Sequence, residues 1–124
     1  MDRRALLGLK RDVADGGGGG GGGAATYVRL ATVTANARRS GGAGGVMTVE
    51  TGVDVPDAAL RTRATQSAPR LRSAYNTVVQ QAAAALLPGA PPDVERLVRE
   101  LQAVTDRTLG RAGARVLLGT VMIV

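Results

Sequence analysis

From Thr26 the chain alternates with period two, Val28, Leu30, Thr32 and Thr34 falling on one side and Tyr27, Arg29, Ala31 and Val33 on the other. The pattern predicts a strand. Ser40-Gly-Gly-Ala-Gly-Gly45 then offers the positive-φ positions of a hairpin turn, and alternation resumes with Met47, Val49, Thr51, Val53 and Val55 opposite Thr48, Glu50, Gly52 and Asp54. This second strand ends at Pro56. Asp57 is placed as an N-cap, after which Leu60, Ala64, Ala68, Leu71, Tyr75, Val78, Val79, Ala82 and Leu86 recur at steps of three and four. One helical stripe follows, with Pro69 predicting a kink or a restart capped by Ser67, and Leu87-Pro88-Gly89 predicting the stop. Beyond Pro91-Pro92, Asp93 opens a second helix with Val94, Leu97, Val98, Leu101, Val104 and Leu109 inward, and Gly110 stands at its C′ position. The closing segment from Arg115 to Val124 alternates but is apolar on both sides, the mark of a central strand.

The order β-β-α-α-β predicts an α+β fold: a small three-stranded sheet covered on one face by two helices, the first kinked at Pro69. The last strand is expected beside the first, in the middle of the sheet. That leaves the second strand at an edge, with the backbone from Val46 to Val55 free to pair with another chain, and implies a weak homo-oligomer. The folded domain is read as 26–124. Residues 1–25 read as a signal-like stub followed by a flexible linker, because the glycines from Gly16 to Gly23 are costly to order and span about 16 Å as a coil.

Composition narrows the chemistry. The 124 residues include no Cys, His, Trp or Phe, which excludes disulfides, the usual structural zinc sets, and nucleophile systems that rely on histidine. Ser67, Ser73 and Thr120 therefore have no His to activate them, and the only lysine, Lys10, lies in the tail. Asp54 and Asp57 flank Pro56 as a conceivable carboxylate pair, but strand and cap roles explain both. The glycine run is followed by Ala24-Ala25-Thr26 and not by the Lys-Ser/Thr of a phosphate-binding loop. No catalytic, cofactor-binding or metal-binding residues are assigned, and no enzyme is expected.

Charge points to partners instead. Sixteen Lys and Arg against ten Asp and Glu leave a net charge of +6, which invites a nucleic-acid reading. The arginines are scattered from Arg3 to Arg115, however, with no aromatic row for stacking bases. A small basic nucleic-acid-binding module is thus the alternative, and no specific nucleic acid is expected. Arg61, Arg63, Arg70 and Arg72 on the first helix, with Thr48 and Glu50 on the second strand, are the candidate partner contacts. Within each arginine pair the two positions are roughly 200° apart around a helix, which suits several small contacts better than one stripe. Neither the stretch from Ser73 to Pro92 nor that from Val116 to Val124 reads as a membrane span, and Asp2-Arg3-Arg4 opens only a stub of an export signal.

The segment 26–124 resembles the periplasmic domain of the flagellar basal-body-associated FliL family. The likeness is carried by Tyr27-Val-Arg-Leu30 leading through Val33 to Asn36, by Pro69-Arg-Leu71-Arg72 in the first helix, by Leu109-Gly110 closing the second, and by Val116-Leu117-Leu118-Gly119-Thr120-Val121-Met122-Ile123 in the last strand. The resemblance implies a stomatin-like fold and a non-enzymatic role with no cofactor. It further implies association with the flagellar stator in support of motility and chemotaxis, in the periplasm at the periphery of the inner membrane. No intact signal or transmembrane segment accompanies it in these residues.

Overall fold

β-branched alternation at both ends of the domain and two helical stripes between them set the layers. The computed structural model describes residues 26–124; the expected stub and linker, 1–25, lie outside the described residues. In chain order the elements are β1 (Tyr27–Arg29), β2 (Val33–Arg38), β3 (Gly44–Asp54), α1 (Ala58–Gln66), α2 (Ala68–Ala85), α3 (Val94–Leu109) and β4 (Arg115–Ile123), with a 3-10 turn at Ser40–Gly42. All strand pairs are antiparallel, α2 packs on β2 and on α3, and α3 packs on β4. The class is α+β with helices on one face of the sheet, as the pattern predicts.

The strand order differs from the expectation. β3 is the centre, with β1 and β2 along one side (Tyr27 opposite Asp54, Val33 opposite Val49) and β4 along the other (Val53 opposite Val116, Met47 opposite Ile123). The last strand is therefore an edge strand, and the backbone from Val46 to Val55 is paired rather than free. An association edge at Thr48 and Glu50 is excluded with it.

A shared irregularity explains why counting by twos misled. From Arg29 to Val33 the chain takes four steps while the partners Gly52 to Val49 take three; from Leu118 to Val121 it takes three while Thr51 to Val49 take two. Both neighbours of β3 thus carry one extra residue at the level of Glu50 and Thr51, as β-bulges do. The extra residue flips the inward phase. On one flank Val28 and Leu30 turn inward, then Val33, Ala35 and Ala37; on the other Val116 and Leu118 turn inward, then Val121 and Ile123. The single expected first strand becomes two, and β4 looks apolar on both sides because its inward residues change parity.

β3 supplies a side chain to each irregularity. Thr51, itself buried, donates its hydroxyl to the Ala31 carbonyl at 3.1 Å, and its own carbonyl accepts from the Leu30 amide at 3.1 Å. Across the strand, the Glu50 carboxylate accepts from the Thr120 amide at 3.0 Å and lies so close over Gly119 that a Cβ there would stand 2.6 Å from Oε1.

The helix boundaries follow the sequence signals. Asp57 accepts from the Leu60 amide at 2.8 Å to cap α1, Asp93 accepts from the Arg96 amide at 3.1 Å to cap α3, and Gly110 closes α3 in the left-handed conformation at φ 85°. The long helical stripe divides at Ser67, with Pro69 in the first turn of α2, where its missing amide costs no intrahelical bond. Ser67 itself makes no side-chain cap; its hydroxyl accepts from Arg70. The core joins Val49, Val53, Leu60, Leu71, Val79 and Leu101, all at most 1% exposed. Tyr75 and Thr105 are also fully buried and satisfy one another by a hydroxyl hydrogen bond, with Thr105 donating to the Leu101 carbonyl in the same network. Burial pushes the Tyr75 phenol above its ordinary range.

Candidate interaction surfaces

The helices cover one face of the sheet, so the residues of opposite parity form the other. Antiparallel register sets them in rows: Tyr27, Asp54 and Arg115; Arg29, Gly52 and Leu117; Thr34, Thr48 and Met122; Asn36, Val46 and Val124. Tyr27 leans over Gly52, where a Cβ would overlap its hydroxyl, and remains 42% exposed. Val46, Met122 and Val124 are exposed as well, and Leu117 is half-buried. The result is a face with Tyr27, Leu117 and two arginines at one end, Val46, Met122 and Val124 at the other, and the exposed Glu50 between them.

The outer edge of β4 forms a second surface, in two stretches. Val46 and Val124 exchange both backbone hydrogen bonds at 2.9 Å, so the alternation of an antiparallel ladder directs Met122 toward β3 and turns the peptide groups of Val121 and Ile123 outward. Near the start of the strand two of the outward groups are occupied. Gln102 of α3 accepts from the Val116 amide at 2.9 Å and donates to the Ala114 carbonyl at 2.7 Å, so one side-chain amide stands where a neighbouring strand's peptide would. Among the described residues no hydrogen bond reaches the outward groups of Val121 and Ile123.

Helix geometry brings apolar side chains beside that open stretch. Val98 and Val94 lie four and eight residues before Gln102 and share its helix face. Val94 is 43% exposed and Val98 is half-buried, whereas the sequence pattern placed both in the core. Neither belongs to the core or packs against it. The groove at the N-terminal end of α3 is lined by Met47, the partner of Ile123, together with Leu97 and Arg96, so this end of the helix lies toward the open end of β4.

The six partner contacts expected from sequence do not converge. Thr48 and Glu50 point from the centre of the sheet, Thr48 half-buried in the outer rows and Glu50 bound to the Thr120 amide. The arginines belong to the helices on the opposite face. Arg61 donates to the Val55 carbonyl at 2.9 Å and to that of Pro56 at 3.2 Å; Arg63 donates to the Leu109 carbonyl at the end of α3 at 2.9 Å. Arg70 donates to Ser67, and Arg72 lines an open groove of about 400 Å³ with Thr32, Thr34, Ser73 and Asn76. Three of the four therefore act within the fold. Asp57 and Asp54 are separately engaged: Asp57 caps α1 and pairs with Arg111 at 2.9 Å, while Asp54 accepts from the Thr26 hydroxyl at 2.5 Å. The Leu60 amide, aided by Arg111, holds the Asp57 carboxyl below its ordinary range.

Sequence reasoning missed Gln102, Tyr27 and the outward turn of Val94. A glutamine on the wet side of a helix carries no sign of a strand edge beside it, whereas the valines at 94 and 98 were a legible surplus over the stripe of Leu97, Leu101 and Leu109. Among the described residues there is no cluster of three or more acidic, His or Cys side chains arranged for a metal, and no helix is long and apolar enough to cross a membrane. No protein-family model matches the chain, and no curated protein matches it.

Proposed function

We propose that this domain is a non-enzymatic interaction module that works as FliL-family periplasmic domains do, associating with stator units of the flagellar motor and supporting motility from the periplasmic side of the inner membrane. The observation that carries the interaction reading is the uncovered sheet face, where Tyr27 and Leu117 stand in adjacent rows with Arg29 and Arg115, and Val46, Met122 and Val124 lie beyond the Glu50 row. Aromatic residues, methionine and arginine are the side chains enriched in protein-binding patches. The stator as partner rests on the resemblance alone. No cofactor enters this role.

The alternative, a nucleic-acid module, has less support. Arg61, Arg63, Arg70, Arg96 and Arg111 each direct a guanidinium donor at an acceptor within the fold, and the remaining arginines of the helices, Arg72, Arg99 and Arg107, are divided between two helices, which offers phosphates no continuous row.

The test is binding of the full chain to the purified periplasmic segment of a stator protein, beside duplex and single-stranded DNA, in ~150 mM salt. Saturable binding to the stator segment that is lost in Leu117→Glu is the expected result. Sub-micromolar DNA binding with a steep salt dependence, or stator binding indifferent to Leu117→Glu, overturns it.

A further inference from the structure

We infer that the open stretch of the β4 edge is a self-association site, in which a second copy of this chain adds its own β4 antiparallel across a two-fold axis at Met122. The outward peptide groups of Val121 and Ile123 are the reason. Both lie after the bulge, in regular ladder geometry, and neither has a partner among the described residues. A strand edge of this kind is a template for another strand, and natural edges are usually blunted by charge, proline or a covering element. Here the segment from Val116 to Val124 holds no charged residue and no proline, and the covering element, Gln102, reaches only Ala114 and Val116.

The choice of a second copy follows from register arithmetic. If Val121 faces Ile123 of the other copy, then Ile123 faces Val121, and the two narrow pairs use all four outward N–H and C=O groups of each strand at once. Shifting by one pair toward the start of the strand places Val121 opposite itself and Ile123 opposite the bulge, which loses half of the bonds. The two-fold register about Met122 is therefore complete on both strands, with no bulge, charge or proline inside it. The flanks agree with this. On the outer face the axis sets the exposed Met122 beside its counterpart, and on the helix face it brings the uncovered Val94 and Val98 to the same side of the joined sheet as theirs. The joined sheet has eight strands.

Two readouts on the full chain test this. Because the chain contains no cysteine, Met122→Cys introduces a single thiol, and a facing non-hydrogen-bonded pair brings Cα atoms to about 4.5 Å, within disulfide range. Under mild oxidation the Met122→Cys dimer is expected to form about tenfold faster than that of Asn36→Cys, an exposed control on β2. Sedimentation of wild type from micromolar to millimolar concentration is expected to move from 12.6 kDa toward twice that mass. Val121→Pro, which deletes an outward donor in each copy while leaving the ladder to β3 intact, is expected to weaken association about tenfold or more. Met122→Lys and Met122→Glu should each sediment as monomers alone and as a dimer when mixed. A wild type that stays monomeric, or cysteine dimers no faster than the control, overturns the second copy as occupant and leaves the edge to an extended segment of another protein. A dimer that forms unchanged in Val121→Pro and in both charge variants places the contact elsewhere and equally overturns it.

Discussion

The two stretches of one strand edge differ in a way the rest of the molecule does not. Between Ala114 and Val116 the edge of β4 is closed by the Gln102 side chain, which supplies a donor and an acceptor at 2.7 and 2.9 Å. Five residues on, the same edge presents the peptide groups of Val121 and Ile123 to no partner among the described residues, beside the exposed Val94. The difference teaches that edge protection in this fold is local and is made by one side chain from the helix above. A bulge at Gly119 and Thr120 separates the closed stretch from the open one, with Glu50 holding the amide that the bulge releases.

The strongest way to break the comparison is to place proline on either side of it. Met122→Pro removes the amide that faces β3 and should destabilise the fold by about 3 kcal/mol or more, while Val121→Pro removes an outward amide and should cost about 1 kcal/mol from the trimmed packing of a half-buried valine. Thermal or urea unfolding at low concentration measures both. Comparable losses for the two substitutions would show that the alternation has been misassigned.

How far the sequence foretold this pattern depends on the element. Asp57, Asp93 and Gly110 were legible as helix boundaries because capping is a local matter, decided by a side chain and the few amides next to it. The break at Ser67 was legible through Pro69 for the same reason. Strand order was not. Apolar residues on both sides of a segment signal burial only if the phase is constant, and the bulge shifts the phase of β4 at Gly119–Thr120 so that Val116 and Val121 both turn inward. The same shift at 30–32 hid the division of the first strand. No local rule announces these insertions, since they are set by Glu50 and Thr51 of a strand that pairs with both. Among the candidate contacts, the arginines were read as a wet face because their stems lie outside the apolar stripe; that Arg61 and Arg63 turn back onto carbonyls is a consequence of tertiary proximity.

A second substitution sharpens the closed stretch. Gln102→Leu keeps the bulk but leaves the Val116 amide and the Ala114 carbonyl without their side-chain partner, and a loss of about 1–3 kcal/mol is expected in urea unfolding. If Gln102→Leu is neutral, the side chain is not what closes the edge. Smaller effects are expected at the two bulges. Thr51→Val deletes a buried hydroxyl bonded to Ala31 and should cost about 1 kcal/mol, and Glu50→Ala, whose carboxylate is exposed, should cost less than about 1 kcal/mol. Equal and larger losses at both would indicate that the bulges are held more tightly than their exposure implies.

The smallest effect lies outside the sheet and serves as its control. The Asp57 carboxyl is held below its ordinary range by the Leu60 amide and by Arg111, so its contribution to stability is present above the ordinary carboxylate value and is lost as pH falls through the lowered one. Asp57→Asn should therefore be slightly less stable than wild type at neutral pH, with the gap closing in acid. Melting curves from neutral to acid pH check this, and a gap that widens in acid would contradict the sign.

Amide hydrogen exchange along β4 of the full chain, in dilute and concentrated solution, tests the open edge most directly. In dilute solution the Val116, Met122 and Val124 amides should exchange slowly, held by Gln102 and β3, while those of Val121 and Ile123 exchange nearly as fast as unprotected amides; on concentration those two should slow. If Val121 and Ile123 are as protected as Met122 in the dilute monomer, another part of the chain already covers the edge and the site for a second strand does not exist.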